Sequence, residues 1–212
     1  MTAFIQEFRR QLALQRWDDH RYYHQSRINQ TLHLISALSF LVAYGLLFID
    51  PAAAALVGWL VSMTTRQAGH FFFEPLGFDH VNQATHDHKE AIKVGYNLRR
   101  KVILLSVWVA IPAVLCFSPD FFGLLSARQV EQGMLHTTAI LWLATGIGAV
   151  IVRTVHLFFL MGIQSGLVWA CKILTDPFHD IRIYYKAPWY ILKGEMYDDM
   201  SDWYAPMPGH GA

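Results

Sequence analysis

Histidine and glutamate stand four residues apart where the second apolar segment of the chain ends. Residues 69–74 read GHFFFE, and Arg66 lies one helical turn before His70. Residues i and i+4 share a face of an α-helix, so Arg66, His70 and Glu74 form one polar stripe. A charge near the centre of a bilayer costs about 2.5–3.5 kcal/mol on insertion scales. The stripe is therefore expected to face the protein interior, with His70 as a metal ligand.

A second polar cluster precedes the first apolar segment and supplies the expected partners of His70. Tyr23-His24 is followed by Asn29 and His33. His24 and His33 are nine residues apart, which places them on opposite faces of a straight helix. They can share a site only if the chain bends between them. The candidate metal ligands are His24, His33, His70, His80, His86 and His156.

Imidazole with some carboxylate suits iron, zinc, copper or nickel. The two cysteines, Cys116 and Cys171, lie far apart and form no thiolate cluster. A non-haem Fe(2+) site is the best match, with open positions for dioxygen or substrate. The His70–Glu74 pair is echoed by His86 and Glu90, at the same spacing.

Three further side chains are candidates for catalytic roles. Glu74 is expected next to the metal. Arg66 either holds the carboxylate of an acidic substrate, pairs with Glu74 or reaches a lipid phosphate. Tyr23 is either a proton donor or an anchor at the membrane interface.

The composition indicates a membrane protein with several spans. Of 212 residues, 54% are hydrophobic and only 16% are charged. This is too apolar for an ordinary soluble domain. The net charge of +1 does not suggest nucleic-acid binding.

The fold class predicted is an all-α, polytopic membrane bundle of about four transmembrane helices, with interfacial helices at both ends. Residues 1–30 form an amphipathic arm, 31–175 the bundle with a His-rich loop at 76–100, and 176–212 an aromatic interfacial tail. The spans expected are 31–49, 52–75, 101–116 and 134–155. The fourth helix continues along the interface until Asp176-Pro177 ends the apolar segment. A surface helix is expected within 81–98.

Basic residues determine the expected orientation. The N-terminal arm carries five arginines and the 76–100 region is also basic, while the opposite side keeps only Arg128. The positive-inside rule then places both termini and the His-rich loop in the cytoplasm. His33, His70 and His156, from three separate spans, are expected at similar depth. The metal site would face the cytoplasm in a bacterial inner membrane or the endoplasmic reticulum.

The two polar motifs resemble a known family, the yeast-type membrane 2-hydroxy fatty acid dioxygenases. The matching residues are Tyr22-Tyr23-His24 with Asn29 and His33, and then Gln67 with the GHFFFE stretch at 69–74. The resemblance covers about residues 20–75. It implies Fe(2+)-dependent shortening of a 2-hydroxy fatty acid by one carbon with dioxygen. It also implies that His24, His33 and His70 are iron ligands or close neighbours, and that Glu74 is a ligand or orients one.

Two other functions remain open from the sequence. One is a di-iron hydroxylase or desaturase of membrane lipids, although the chain lacks an HxxHH box. The other is a non-enzymatic accessory subunit of a larger membrane complex, with histidines that pack or bind a pigment or haem. A homo-oligomer is compatible with each of the three. Each function implies contact with the bilayer, and the two enzymes imply a fatty acyl or other lipid substrate.

Overall fold

The computed structural model describes residues 2–201, and within them the regular secondary structure is entirely helical, as predicted. The helices are α1 (Thr2–Tyr23), α2 (Arg27–Leu46), α3 (Pro51–Leu56), α4 (Thr64–Phe72), α5 (His86–Ile92), α6 (Leu98–Phe117), α7 (Ala127–Glu131), α8 (Met134–Met161), α9 (Ile163–Tyr184) and α10 (Ala187–Leu192); a π-helical segment, Val57–Met63, joins α3 to α4.

The first helix ends earlier than the predicted arm, and this creates the bend that the histidine spacing requires. α1 ends at Tyr23, and α2 begins at Arg27. The side chain of Ser26 accepts a hydrogen bond from the backbone N–H of Asn29 and caps α2. His24 therefore lies in a break between two helices, whereas His33 lies on α2. The boundary expected at residue 30 falls instead at residues 24–26.

α2 and the next helical segment form the tight hairpin expected from Asp50-Pro51. Asp50 accepts hydrogen bonds from the backbone N–H groups of Ala52 and Ala53, and Pro51 occupies the first turn of α3. Helical structure then continues through the π segment to Phe72. α2 packs against both the π segment and α4, which brings the start of α2 beside the end of α4.

Two helices, α6 and α8, are long and apolar enough to cross a membrane. Only 11% of the residues in each apolar window are buried, unlike the core helices of a soluble protein. Their contact with the π segment is aromatic. Trp59 Nε1 donates to the carbonyl of Trp142 at 2.8 Å, and Trp142 Nε1 donates to the carbonyl of Trp108 at 2.9 Å.

The region after α8 differs from the single continuous helix expected. Gly162 adopts φ +88°, a conformation that side chains other than glycine rarely take, and it ends α8. α9 then packs back against α8, and a Cβ at Gly166 would lie 2.5 Å from the ring of Phe158. α9 also runs through Asp176-Pro177 to Tyr184, so the predicted termination there is wrong.

The His-rich loop contains one short helix, α5, in place of the longer surface helix expected. Asp79 anchors this region to α1. Its buried carboxylate accepts hydrogen bonds from Arg21 at 2.8 and 2.6 Å and from Lys89 at 2.6 Å. Burial alone would raise the pKa of Asp79, but these hydrogen bonds outweigh it and hold the pKa below its ordinary value.

The aromatic tail is partly exposed and partly internal. Tyr185 and Trp189 are exposed, as expected of anchors, but Tyr184 is buried. α10 packs on α2, with Arg27 over the ring of Tyr190. The remaining aromatic residues of the predicted tail, Trp203 and Tyr204, lie outside the described residues.

Candidate metal centre

Three predicted ligands come together. His24 from the break after α1, His33 from α2 and His70 from α4 each offer a ring nitrogen, and these atoms lie within 4.8 Å of one another. His24 and His33 are completely buried, and the side chain of His70 is 10% exposed. Among the described residues, they form the group of histidine, cysteine or acidic side chains that could hold a metal ion.

The distance between the first two ligands fits a single ion. Nε2 of His24 lies 3.1 Å from Nε2 of His33. Imidazole nitrogens bind a first-row metal such as zinc at about 2.0–2.1 Å, so two of them at a right angle lie about 3 Å apart. The ring centroids of His24 and His33 lie 5.2 and 4.9 Å from that of His70.

The opposite ring nitrogen, Nδ1, faces an oxygen in all three residues. Nδ1 of His24 is 3.1 Å from the carbonyl oxygen of Asp19, and Nδ1 of His70 is 3.0 Å from Oε2 of Glu74. Nδ1 of His33 lies 3.6 Å from Oδ2 of Asp180. A hydrogen-bond partner at Nδ1 favours the proton there and leaves Nε2 free for a metal. His24 and His70 have such a partner, whereas Nδ1 of His33 has only the longer approach to Asp180.

Burial keeps the pocket uncharged on its histidine side. It lowers the pKa of His24 well below the ordinary value, and the neighbouring His33 lowers it further. Metal binding requires neutral imidazole, so this shift removes competition from protons. Burial raises the pKa of Glu74, an effect opposed by Lys93 and Lys101, whose ammonium groups lie 3.3 and 4.0 Å from its carboxylate.

A close approach of two helices sets the position of His70. Gly69 is buried, and a Cβ there would lie only 2.2 Å from Oδ1 of Asn29 on α2. The same asparagine donates a hydrogen bond from Nδ2 to the carbonyl oxygen of Tyr23. Asn29 therefore joins α4, α2 and the end of α1 beside the three histidines. This gives a structural role to two more residues of the paired motifs.

Glu74 lies where a group that orients a ligand would lie, because it contacts Nδ1 of His70 and is not one of the convergent atoms. Arg66 does not pair with Glu74. Its guanidinium lies 3.0 Å from Asp180 and 3.9 Å from Asp176. The predicted stripe is therefore divided between two networks, with Arg66 beside the carboxylates of α9 and Glu74 beside His70.

Tyr23 is buried between lysines rather than exposed at an interface. The ammonium group of Lys93 lies 3.5 Å from the centre of its ring, and that of Lys89 lies 5.7 Å away. Burial raises the pKa of Tyr23, so its hydroxyl stays protonated. Tyr23 therefore lacks the exposure expected of an interface anchor, and its ring packs against Tyr22, Lys89 and Lys93.

The remaining predicted ligands do not join the group. His80 and His156 are exposed, and Nδ1 of His156 lies 3.0 Å from Arg153. His86 on α5 contacts the hydroxyl of Tyr22 at 3.3 Å. The expected convergence of His33, His70 and His156 is therefore correct for two residues and wrong for His156. His156 lies on an exposed face of α8 beside Arg153, which keeps it out of the group.

Sequence reasoning missed the polar residues of α9. Lys172, Asp176, Asp180 and Tyr184 recur every four residues, which places them on one helical face. The same periodicity used for His70 could have revealed this stripe. Asp176-Pro177, which typically ends a helix, hides the stripe because it predicts the end of the helix between its members. Asp180 and Tyr184 both reach the histidine pocket.

His20 links α9 to the pocket. Its Nδ1 lies 2.5 Å from the hydroxyl of Tyr184, and its Nε2 lies 3.7 Å from Oδ1 of Asp180. Its ring centroid lies 5.2 Å from that of His24. All of these side chains are buried.

An apolar groove of about 240 Å³ opens on another side of α4. It lies between α4, the π segment and α6. Its lining includes Trp59, Met63, Gln67, Ala68, Phe71 and Trp108. The lining is almost entirely hydrophobic, with room for part of a hydrocarbon chain. Gln67 and Phe71 flank His70 in the sequence, so one helix serves both the groove and the histidine pocket.

No protein-family model, curated protein or solved structure matches the chain.

Proposed function

We propose that the protein is an integral-membrane, non-haem Fe(2+) dioxygenase that acts on a fatty acyl substrate, with a 2-hydroxy fatty acid as the expected substrate. The observation that carries the proposal is the convergence of His24, His33 and His70, each with an oxygen facing its Nδ1. The resemblance of the two motifs supplies the choice of substrate.

The residues present fit a non-haem iron ion. Three neutral imidazoles and no thiolate occupy the pocket, and an ion held by three protein ligands keeps open positions. Bound Fe(2+) would supply the activation of dioxygen. His24, His33 and His70 would hold the ion, Glu74 would orient His70, and the buried surroundings would limit access of water.

The expected reaction converts a 2-hydroxy acid and dioxygen to the acid shortened by one carbon, with carbon dioxide and water as the other products. The apolar groove along α4 supports a substrate with a hydrocarbon chain. Its polar end would have to reach the histidine pocket on the other side of that helix.

The membrane assignment rests on α6 and α8. We extend it to four crossings by including α2 and the segment from α3 to α4. Both termini and the metal pocket then face the cytoplasm of a bacterial inner membrane or the corresponding side of the endoplasmic reticulum. Assembly into a homo-oligomer or a larger membrane complex is compatible with this arrangement.

The test is the iron content and activity of the protein purified in detergent under reducing, anaerobic conditions. We expect one iron per chain, and turnover of 2-hydroxy fatty acid when dioxygen is admitted. His70→Ala should lose both together. His156→Ala is the matched control, because that histidine is exposed and outside the group; it should retain both.

Other outcomes would overturn the proposal in distinct ways. Full iron content in His70→Ala would remove the assigned ligand set. Two irons per chain would indicate a di-iron lipid enzyme, and a haem absorption band would indicate a pigment-binding subunit. Stoichiometric iron without oxidation of any fatty acyl substrate would retain the metal centre and reject the reaction.

A further inference from the structure

Asp180 stands between two histidines of the pocket. It is completely buried, with Oδ2 facing Nδ1 of His33 at 3.6 Å and Oδ1 facing Nε2 of His20 at 3.7 Å. Arg66 donates to Oδ2 at 3.0 Å and keeps the carboxylate in place. The two histidine contacts are longer than hydrogen bonds, so they are electrostatic approaches in this structure.

A metal ion in the pocket would dictate where the protons lie. If Nε2 of His24, His33 and His70 binds the ion, each ring must carry its proton on Nδ1. The backbone carbonyl of Asp19 can accept a hydrogen bond from Nδ1 of His24, and the carboxylate of Glu74 can accept one from Nδ1 of His70. Nδ1 of His33 is a buried atom with no hydrogen-bond partner among the described residues. The nearest acceptor shown for it is Asp180.

We propose that Asp180 is a positioning residue of the metal centre. Its carboxylate accepts a hydrogen bond from the Nδ1–H group of His33 when the ion is bound. A shift of the ring by about half an ångström would turn the 3.6 Å approach into a hydrogen bond. The inference rests on the proposed metal centre and assigns α9 a part in it. Removing such a partner typically lowers metal affinity about 10- to 100-fold.

The same carboxylate orders the other side of the pocket. A proton on Nε2 of His20, the nitrogen that faces Oδ1, would leave Nδ1 to accept a hydrogen bond from the hydroxyl of Tyr184. The ring of Tyr184 lies 5.9 Å from that of His24 and 6.3 Å from that of His33. Asp180 therefore sets the orientation of one metal ligand and of one hydroxyl beside the metal pocket.

The experiment is a titration of the metal-free, full-length protein in detergent with Co²⁺, followed by its visible absorption. Asp180→Asn is the test variant, because it keeps the size and removes the charge. Asp176→Asn is the matched control. Asp176 lies one turn earlier on α9 and contacts Arg16, Arg66 and Lys172. We expect Asp180→Asn to weaken Co²⁺ binding about 10- to 100-fold, and Asp176→Asn to stay within about threefold of the wild type.

Each result has a separate meaning. Equal affinities for wild type and Asp180→Asn would overturn the inference, as would equal losses in both variants. Failure of the wild type to bind Co²⁺ or iron would overturn the metal centre itself. If Asp180→Asn does not fold, nitrogen NMR of ¹⁵N-histidine in the Zn²⁺-loaded wild type decides. The inference requires His33 to carry its proton on Nδ1, and an unprotonated Nδ1 would reject it.

Discussion

The chain contains two His-x-x-x-Glu pairs, and they behave differently. His70 and Glu74 contact each other at 3.0 Å in a pocket with two further histidines. His86 contacts Tyr22 instead, and Glu90 binds Lys93 and the backbone N–H of Leu98. The spacing is the same in both. The difference shows that the surroundings of a histidine, more than its spacing, decide whether it joins a histidine cluster.

The two pairs are also held in place by different contacts. The first sits on α4, which packs closely on α2 through Gly69 and Asn29. The second sits on α5, a helix of seven residues that is anchored to α1 through Asp79. One position is set by the close packing of a glycine against the Asn29 side chain, and the other by ion pairs. Each can be perturbed separately.

The largest expected effect is on the support of the second pair. Asp79→Asn leaves Arg21 and Lys89 with the partly exposed Asp18 as their remaining partner, and should lower the free energy of unfolding by about 3 kcal/mol. Because the folded pKa of Asp79 lies below its unfolded value, the carboxylate stabilises the protein above about pH 4. That stability is lost as pH falls through the folded pKa.

Thermal unfolding in detergent from neutral to acidic pH measures this contribution. The difference in unfolding temperature between wild type and Asp79→Asn should be large at pH 7. It should become progressively smaller as the pH falls below about 4. A gap that does not depend on pH would show that the charge of Asp79 is not the cause.

The next effect concerns the support of the first pair. Gly69→Ala places a methyl group against Asn29 and should destabilise the fold by about 1–3 kcal/mol while displacing His70 from the pocket. Gly77→Ala is the control, since a Cβ there meets nothing within 4 Å. Unfolding temperature and iron content measure the two consequences. Equal behaviour of the two alanine variants would contradict the close packing of α4 on α2.

A smaller effect should separate the two glutamates. Glu74→Gln removes the charged partner of His70 and should weaken metal binding about tenfold, or 1.4 kcal/mol. Glu90→Gln alters contacts with Lys93 and Leu98 only and should leave affinity within about twofold. Metal titration of the two variants provides the comparison. A larger loss for Glu90→Gln would reverse the assignment of the two pairs.

The smallest effect is expected for the second histidine. His86→Ala loses one contact with Tyr22 and should change the free energy of unfolding by less than about 0.5 kcal/mol, with no change in metal content. Calorimetry and elemental analysis test this expectation. Loss of metal from His86→Ala would return this residue to the ligand set.

The sequence predicted the parts of the molecule that depend on local patterns. The length of the apolar stretch at 101–116 predicts α6, and the spacing of His70 and Glu74 predicts their contact. The condition that the chain must bend between His24 and His33 is met by the break at residues 24–26. These features follow from periodicity, capping and the composition of short stretches.

The rest depended on contacts between distant segments. A proline normally ends a helix, yet α9 continues past Pro177. Asp176 beside it bonds Lys172 on the same helix and Arg16 on α1. The spacing of Lys172 and Asp176 is visible in the sequence, but the contact with Arg16, 160 residues away, is not. The partner of Arg66 was missed for the same reason, since Asp180 lies 114 residues away.

The π-helical segment between α3 and α4 affects the directions in which side chains before and after it point. Each extra residue in a wide turn rotates everything beyond it by about 100° relative to a regular helix. The indole of Trp59 lies within this segment and the imidazole of His70 lies beyond it. The relative direction of these two side chains around the axis therefore depends on the seven residues of this segment, none of which belongs to the histidine group. The packing of Trp59 against α6 and α8 can therefore change independently of the direction in which His70 points.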